Sequence, residues 1–114
     1  MKPPEVRKYL FDAAEACDVI AEFVAGKTFA DYKRERMMRS AVERQFEIVG
    51  EALAGLLRIA PELEPRISYA RRIIAFRNRL IHGYATVLDE LVWGIVETNV
   101  GVLRTELARL IAED

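Results

Sequence analysis

The sequence contains little of what builds disulfides, metal sites or membrane spans. One cysteine, Cys17, cannot form a disulfide within the chain, and together with the single histidine, His82, it supplies too few ligands for a tetrahedral zinc site. The longest apolar runs are a few residues, as between Arg72 and Arg77, so no segment spans a bilayer. The first residues also lack the apolar stretch of a secretion signal. We therefore expect a soluble, cytoplasmic protein with no metal and no membrane partner.

The length of 114 residues allows one domain over residues 1–114. A hydrophobic content of 52% argues against disorder. A chain of this size buries enough surface to fold without disulfides, and nothing in it requires a cofactor.

Charge is unevenly distributed although the net charge is only −1. Between Pro65 and Leu88 there are five arginines and no acidic residue: Arg66, Arg71, Arg72, Arg77 and Arg79. The rest of the chain then holds 17 − 5 = 12 basic and 18 acidic side chains, a balance of −6. This pattern indicates either a confined anion-binding site or a solvated arginine-rich helix face.

Apolar periodicity predicts an all-α fold. In the second long helix, residues 36–58, the apolar positions are spaced by three or four: Met38, Val42, Phe46, Val49, Leu53 and Leu56. The same spacing predicts a first helix from Leu10 to Phe23, a third from about Ser68 through Leu80, and a last one from Leu88 to Ile111. Thr28 can cap a short further helix. We predict an antiparallel bundle of three or four long helices with short connections.

Glycines occur at two kinds of position in this pattern, after helices and within them. Gly26 and Gly83 follow the first and third helices, where a positive φ is common. Gly50 interrupts the second helix, and Gly94 and Gly101 interrupt the last one. A glycine inside a helix destabilises it, so these three positions predict close contact with another helix.

Two groups of polar residues offer alternatives for chemistry. Glu43, Glu47 and Glu51 recur every four residues, as in a metal-binding ladder, but no histidine lies at the spacing that a di-metal bundle needs. We expect them instead to form ion pairs with the arginine-rich helix. Cys17 falls on an apolar stripe and is predicted to be a core residue.

The segment from Arg77 to Tyr84, RNRLIHGY, contains the remaining candidates. Cleavage of RNA without a metal needs an acid and a base, and a cation to stabilise the phosphoryl oxygens. His82 suits proton transfer and Arg77 suits phosphate. Five residues of helix separate the two by about 140°, so they converge only if the helix ends near His82 and the chain turns. A two-fold dimer would supply a second imidazole.

Simpler roles fit the same two residues. Arg77 lies on an apolar stripe, so it faces an interface, a carboxylate or an anionic ligand. His82 alternatively is a helix-end histidine beside a structural arginine.

The same segment resembles the R-x4-H-x-Y signature of HepT-like toxins in the HEPN superfamily. Residues 43–52, ERQFEIVGEA, resemble the second-helix pattern of that family, and residues 92–96, VWGIV, resemble its last helix. The resemblance implies a homodimeric bundle of four or five helices that acts as a metal-independent endoribonuclease on RNA, with the signatures of both chains lining one cleft. It implies that Arg77 and His82 are catalytic and that Asn78 and Arg79 support phosphate or RNA binding.

The resemblance also implies a regulatory partner. HepT-like toxins are typically encoded beside a minimal nucleotidyltransferase antitoxin, which transfers AMP to the signature tyrosine, here Tyr84. Two other functions fit the sequence: a non-catalytic dimeric module that binds and is modified by such an enzyme, and a helical scaffold.

Overall fold

A computed structural model describes residues 2–113 of the chain. Its six α-helices are α1 (Pro4–Val24), α2 (Phe29–Arg34), α3 (Arg36–Ile59), α4 (Ala70–His82), α5 (Asp89–Ile95) and α6 (Gly101–Ala112). Single 3₁₀ segments, Pro61–Arg66 and Tyr84–Thr86, flank α4, and a π-helical turn, Val96–Val100, joins α5 to α6. No strand occurs within the described residues. The prediction of an all-α bundle is confirmed.

Local chemistry explains the first two helices. Pro4 occupies the first position of α1, where a missing N–H costs nothing. Gly26, with a φ of 71°, turns the chain after α1 as expected. The backbone N–H of Asp31 donates to the Thr28 hydroxyl over 3.1 Å, and the Thr28 N–H donates to the Asp31 carboxylate over 3.0 Å. This reciprocal capping box starts α2.

The start of α4 is two residues later than the sequence predicts. Ser68, the expected start, is instead tied to α6, because its N–H donates to the Glu106 carboxylate over 3.0 Å and its hydroxyl also bonds to Glu106. Ala70 then begins the helix.

The last predicted helix is interrupted rather than continuous. The π-helical turn separates α5 from α6, and within it the Thr98 hydroxyl donates to the carbonyl oxygen of Gly94 over 2.6 Å. The predicted close helix contacts at Gly94 and Gly101 are wrong, since a Cβ built at either position meets nothing within 4 Å. Both glycines lie on parts of the helix that no other element of residues 2–113 covers closely.

The core lies between α3 and its two neighbours, α1 and α4, while α6 packs on the other side of α1. Phe46 of α3 and Phe76 of α4 meet edge to face, with ring centroids 5.3 Å apart. Cys17 is fully buried, as predicted, and burial raises the pKa of its thiol to about 12. None of the helices in residues 2–113 combines the length and apolarity that crossing a membrane requires.

Candidate active site at the end of the fourth helix

The signature segment occupies the last turns of α4 and the 3₁₀ turn that follows. His82 is the final residue of α4, and the Gly83 N–H closes the helix by donating to the Arg79 carbonyl over 2.8 Å. The helix therefore ends where the sequence predicts. The expected positive φ at Gly83 is wrong, since its φ is −130°. The Thr86 N–H and hydroxyl both donate to the Gly83 carbonyl, which turns the chain without a left-handed residue.

Arg77 is a residue of α4, and it lies half-buried where α4 packs against α3. A Cβ built on Gly50 would stand 2.4 Å from the Arg77 Cβ, so the predicted close approach at Gly50 is confirmed and its partner is Arg77. The Nε of Arg77 is buried and has no hydrogen-bond partner within residues 2–113. None of the ion pairs among these residues includes Arg77. Within residues 2–113 of one chain, the alternative that Arg77 pairs with a carboxylate is therefore excluded.

An unpaired, partly buried guanidinium is costly. Leaving a buried donor without a partner costs about 1–3 kcal/mol, and more for a charged group. This cost is recovered when an anion binds, so the position of Arg77 suits recognition of a phosphate.

His82 is exposed, as are its neighbours Asn78 and Arg79. Because α4 is a regular helix from Arg77 to His82, these two side chains leave it about 140° apart. Within one protomer they do not share a face of α4. The signature of a single chain therefore presents the guanidinium of Arg77 and the imidazole of His82 in different directions.

Arg79 has a bond that its sequence position does not reveal. Its Nη2 donates to the Thr86 carbonyl over 3.0 Å and so ties α4 to the loop that carries Tyr84. Its predicted contact with phosphate, and that of Asn78, stay predictions.

Tyr84 is 60% exposed and lies beside Glu43 of α3. The negative charge of Glu43, together with a hydrogen bond between the two groups, raises the pKa of the Tyr84 hydroxyl. Burial raises the pKa of the Glu43 carboxyl, while the bond from Tyr84 partly opposes that change. Glu43 therefore connects α3 to the end of the signature.

The expected ion pairs between α3 carboxylates and the arginine-rich helix are wrong. Glu43 faces Tyr84, and Glu47 pairs over 3.2 Å with Arg44 of its own helix. Glu51 is exposed and belongs to no ion pair among residues 2–113. Residues three or four positions apart on a helix are neighbours, so Glu47 reaches Arg44 without any contact between helices.

Glu43 provides a pH prediction. The carboxyl of Glu43 has a higher pKa in the folded protein than its ordinary value of 4.5, so near these pKa values the folded state binds more protons than the unfolded state. The free energy of unfolding therefore falls as the pH rises from below 4.5 through the pKa of the folded state. We expect Glu43→Gln to raise the unfolding midpoint at pH 7 and to match the wild type below the ordinary glutamate pKa. Thermal unfolding from pH 3 to 8 measures this.

Glu47→Gln is the control, since it removes only a surface ion pair and is expected to change the midpoint little. A Glu43→Gln protein less stable than the wild type at pH 7 would contradict the prediction.

Two of the five arginines in the positive segment are neutralised. Arg71 pairs with Glu64 over 2.8 Å, and Arg66 pairs with Glu113, one of its two bonds also measuring 2.8 Å. Of these five, Arg72, Arg77 and Arg79 belong to none of the ion pairs among residues 2–113. All three lie on α4.

Three large apolar side chains at the end of α4 and in the segment after it are exposed. Ile81, Tyr84 and Leu88 are exposed by 46%, 60% and 63%. Exposed apolar side chains that form one contiguous patch mark a protein interface. By contrast, a groove of about 520 Å³ lined by Phe29, Trp93 and neighbouring residues does not include the signature.

Sequence comparison adds the relationship to known proteins. The family model described as "Ribonuclease HepT-like" matches residues 13–110, which include the whole signature segment. The chain belongs to the HepT-like family. A probable ribonuclease HepT of Thermococcus cleftensis is 32% identical over 104 residues, which cover 91% of this chain and 94% of that protein.

Further relatives of this HepT-like chain are similar over nearly their whole length. A protein of Methanocaldococcus jannaschii, whose name proposes RNase activity, is 29% identical over 94% of this chain and 97% of its own. A protein of Caldanaerobacter subterraneus with a name of the same kind is 26% identical over 100% of this chain and 99% of its own. No solved structure gives a significant match.

Sequence reasoning missed the partners of this HepT-like site on α3. Gly50 and Glu43 stand out in the sequence, but their neighbours do not. Gly50 contacts Arg77, and Glu43 lies beside Tyr84. Their spacing of seven residues places both on one face of α3, and this was the available signal. Which helix packs on that face is not encoded in spacing.

Proposed function

We propose that this HepT-like protein is a toxin that cleaves RNA internally without a metal ion. The observation that supports this most is the half-buried Arg77, whose Nε lacks any partner within residues 2–113. It lies in the same signature as an exposed histidine, in a family whose model is described as ribonuclease.

The proposed reaction uses the ribose as the nucleophile. A base removes the proton of a 2′-hydroxyl, the resulting oxygen attacks the adjacent phosphorus, and the bond to the 5′-oxygen of the next nucleotide breaks. An acid protonates that leaving oxygen, so the products are a 2′,3′-cyclic phosphate and a 5′-hydroxyl. His82 takes one of the proton-transfer roles, and Arg77 stabilises charge on the phosphoryl oxygens.

A homodimer completes the site in this proposal. Acid and base are both needed, but each chain has a single histidine. Arg77 and His82 of one chain also point in different directions from α4. A two-fold interface at the exposed side chains of Ile81 and Leu88 would bring two signatures together and supply the second imidazole.

Tyr84 is the proposed point of control. Its hydroxyl is accessible to a partner enzyme, and it lies two residues from His82. A nucleotidyltransferase antitoxin would form a bond between the tyrosine oxygen and the α-phosphorus of ATP and release pyrophosphate. The attached AMP adds negative charge and bulk where the phosphate of the RNA must enter.

Purified protein tests the activity directly. We expect wild-type protein to cut a labelled single-stranded RNA in excess EDTA and to leave cyclic phosphate ends. Loss of the proton-transfer group in His82→Ala should slow cleavage by about 10²–10⁴-fold. Gel analysis of single-turnover reactions measures the rates.

The control substrate carries 2′-deoxyribose at every position and is expected to stay intact. Cleavage that EDTA abolishes, or that His82→Ala retains in full, would contradict the proposed mechanism.

The exposure of Tyr84 also favours a second function, a non-catalytic dimer whose role is to bind a nucleotidyltransferase and accept AMP. Intact-mass measurement after co-expression with the product of the adjacent gene separates the two functions. An AMP adduct on Tyr84, with no RNA cleavage by the unmodified protein, would support the second.

A further inference from the structure

We propose that Gly50 of α3 is a positioning residue for Arg77. Because position 50 has no side chain, α4 packs closely against α3, and this packing fixes the position of the Arg77 guanidinium. This inference rests on the proposed role of Arg77 in phosphate binding, and it adds a residue of another helix to the site.

The contact at Gly50 is with the root of the Arg77 side chain. A Cβ at position 50 would lie 2.4 Å from the Arg77 Cβ, 2.8 Å from its Cγ and 3.2 Å from the carbonyl oxygen of Ile73. The Cβ is bound directly to the backbone and the oxygen belongs to it, so rotation of the guanidinium cannot relieve the overlap. A side chain at position 50 must therefore move α4 itself.

No polar contact within residues 2–113 fixes the position of Arg77. No ion pair among these residues includes it, and its Nε is buried without a partner. Buried arginines are usually paired with a carboxylate, whereas this one is placed by the packing of α4 on α3. The close approach at Gly50 is the part of that packing which contacts Arg77 itself.

The expected effect follows from the distances. Ordinary van der Waals contact begins at 3.4 Å, so Gly50→Ala must separate Cβ50 from the Arg77 Cβ by at least another 3.4 − 2.4 = 1.0 Å. A displacement of about 1 Å in a catalytic group costs on the order of 10²-fold in rate. Gly50→Ala should thus slow cleavage about a hundredfold, mostly in kcat, since the exposed RNA contacts are unchanged.

The chain supplies two matched controls. Gly94→Ala adds the same methyl group to a helix where nothing lies within 4 Å. Gly55→Ala creates an equally tight overlap on α3, at 2.5 Å, but against the ring of Tyr9. We expect both proteins to cleave RNA, per folded molecule, within threefold of the wild type.

A double-mutant cycle in thermal stability tests the contact without using activity. Gly50→Ala should lower the unfolding midpoint of the wild type by more than that of Arg77→Gly, because glycine at position 77 removes the 2.4 Å overlap and leaves only the 3.2 Å approach to the Ile73 carbonyl oxygen. If Gly50→Ala alone does not fold, the Arg77→Gly/Gly50→Ala protein should fold.

Each outcome decides the proposal. Equal effects of Gly50→Ala in both backgrounds, or no recovery of folding in the double variant, would show that Arg77 is not what Gly50 accommodates. Cleavage by Gly50→Ala within threefold of the wild type, or an equal loss in folded Gly55→Ala, would overturn the positioning role. If the wild type does not cleave RNA, the proposed function fails, while the stability cycle still decides the contact.

Discussion

Replacing Arg77 with alanine should abolish most RNA cleavage while leaving the fold intact. Removing one preorganised donor that stabilises a developing oxyanion costs about 10²–10³-fold in rate. A guanidinium offers two parallel bonds and a full charge to a phosphate, so we expect the upper end of this range, about a thousandfold.

Stability should respond very differently in Arg77→Ala. No carboxylate of residues 2–113 pairs with Arg77, so its removal leaves no buried charge behind, and the unpartnered Nε disappears. The packing of its aliphatic stem against α3 is lost in exchange. We expect these contributions to offset, with the free energy of unfolding changing by less than about 1 kcal/mol.

Single-turnover cleavage and urea unfolding of the same preparations measure the two effects. Arg104→Ala is the matched control, because Arg104 pairs with Asp18 over 2.8 Å on the α1–α6 side and should not affect cleavage. Equal cleavage by Arg77→Ala and the wild type would remove the phosphate role. Unfolding of Arg77→Ala would show that the arginine is structural.

The second large effect is expected from Leu88→Asp, which should separate the proposed dimer and with it the proposed composite site. Leu88 is 63% exposed and forms the N-cap of α5 with no side-chain capping bond. Aspartate is a preferred N-cap residue, so the substitution favours α5 while placing a charge in the proposed interface. Loss of activity would therefore not come from local unfolding.

An unpaired carboxylate in this apolar interface should cost about 2 kcal/mol or more, so the dissociation constant of the proposed dimer should rise at least about thirtyfold. Cleavage should fall in proportion to the dimer fraction and recover as protein concentration increases. Analytical ultracentrifugation and cleavage assays across one concentration series measure both quantities.

Phe11→Asp is the control for Leu88→Asp. Phe11 is 59% exposed on α1, beside Ile111 of α6, rather than at the signature. We expect it to leave the dimer and the activity unchanged. A Leu88→Asp protein that stays dimeric and active, or a monomeric Phe11→Asp protein, would place the interface elsewhere.

Helix positions were largely readable from the sequence, because each long helix buries one continuous apolar face. The stripe from Met38 to Leu56 is buried as predicted, and α4 ends at His82 because the chain enters a hydrogen-bonded turn. The unusual cost of a glycine within a helix likewise predicted the close approach at Gly50.

Contacts between helices could not be predicted from the sequence in the same way. The carboxylates of α3 were expected to pair with arginines of α4, but Glu47 pairs within its own helix and Glu43 meets Tyr84. The same glycine signal failed at Gly94 and Gly101, where no helix packs. Spacing identifies a face, whereas the neighbour of that face depends on how the helices pack in three dimensions.

The most direct test of the proposed composite site is a crystal structure of the dimer bound to a dinucleotide whose attacking 2′-hydroxyl is methylated. We predict one phosphate held by the Arg77 guanidinium, with imidazoles of both protomers within about 3 Å of the 2′- and 5′-oxygens. Signature segments on separate faces of the assembly, or a phosphate bound away from Arg77, would contradict the account.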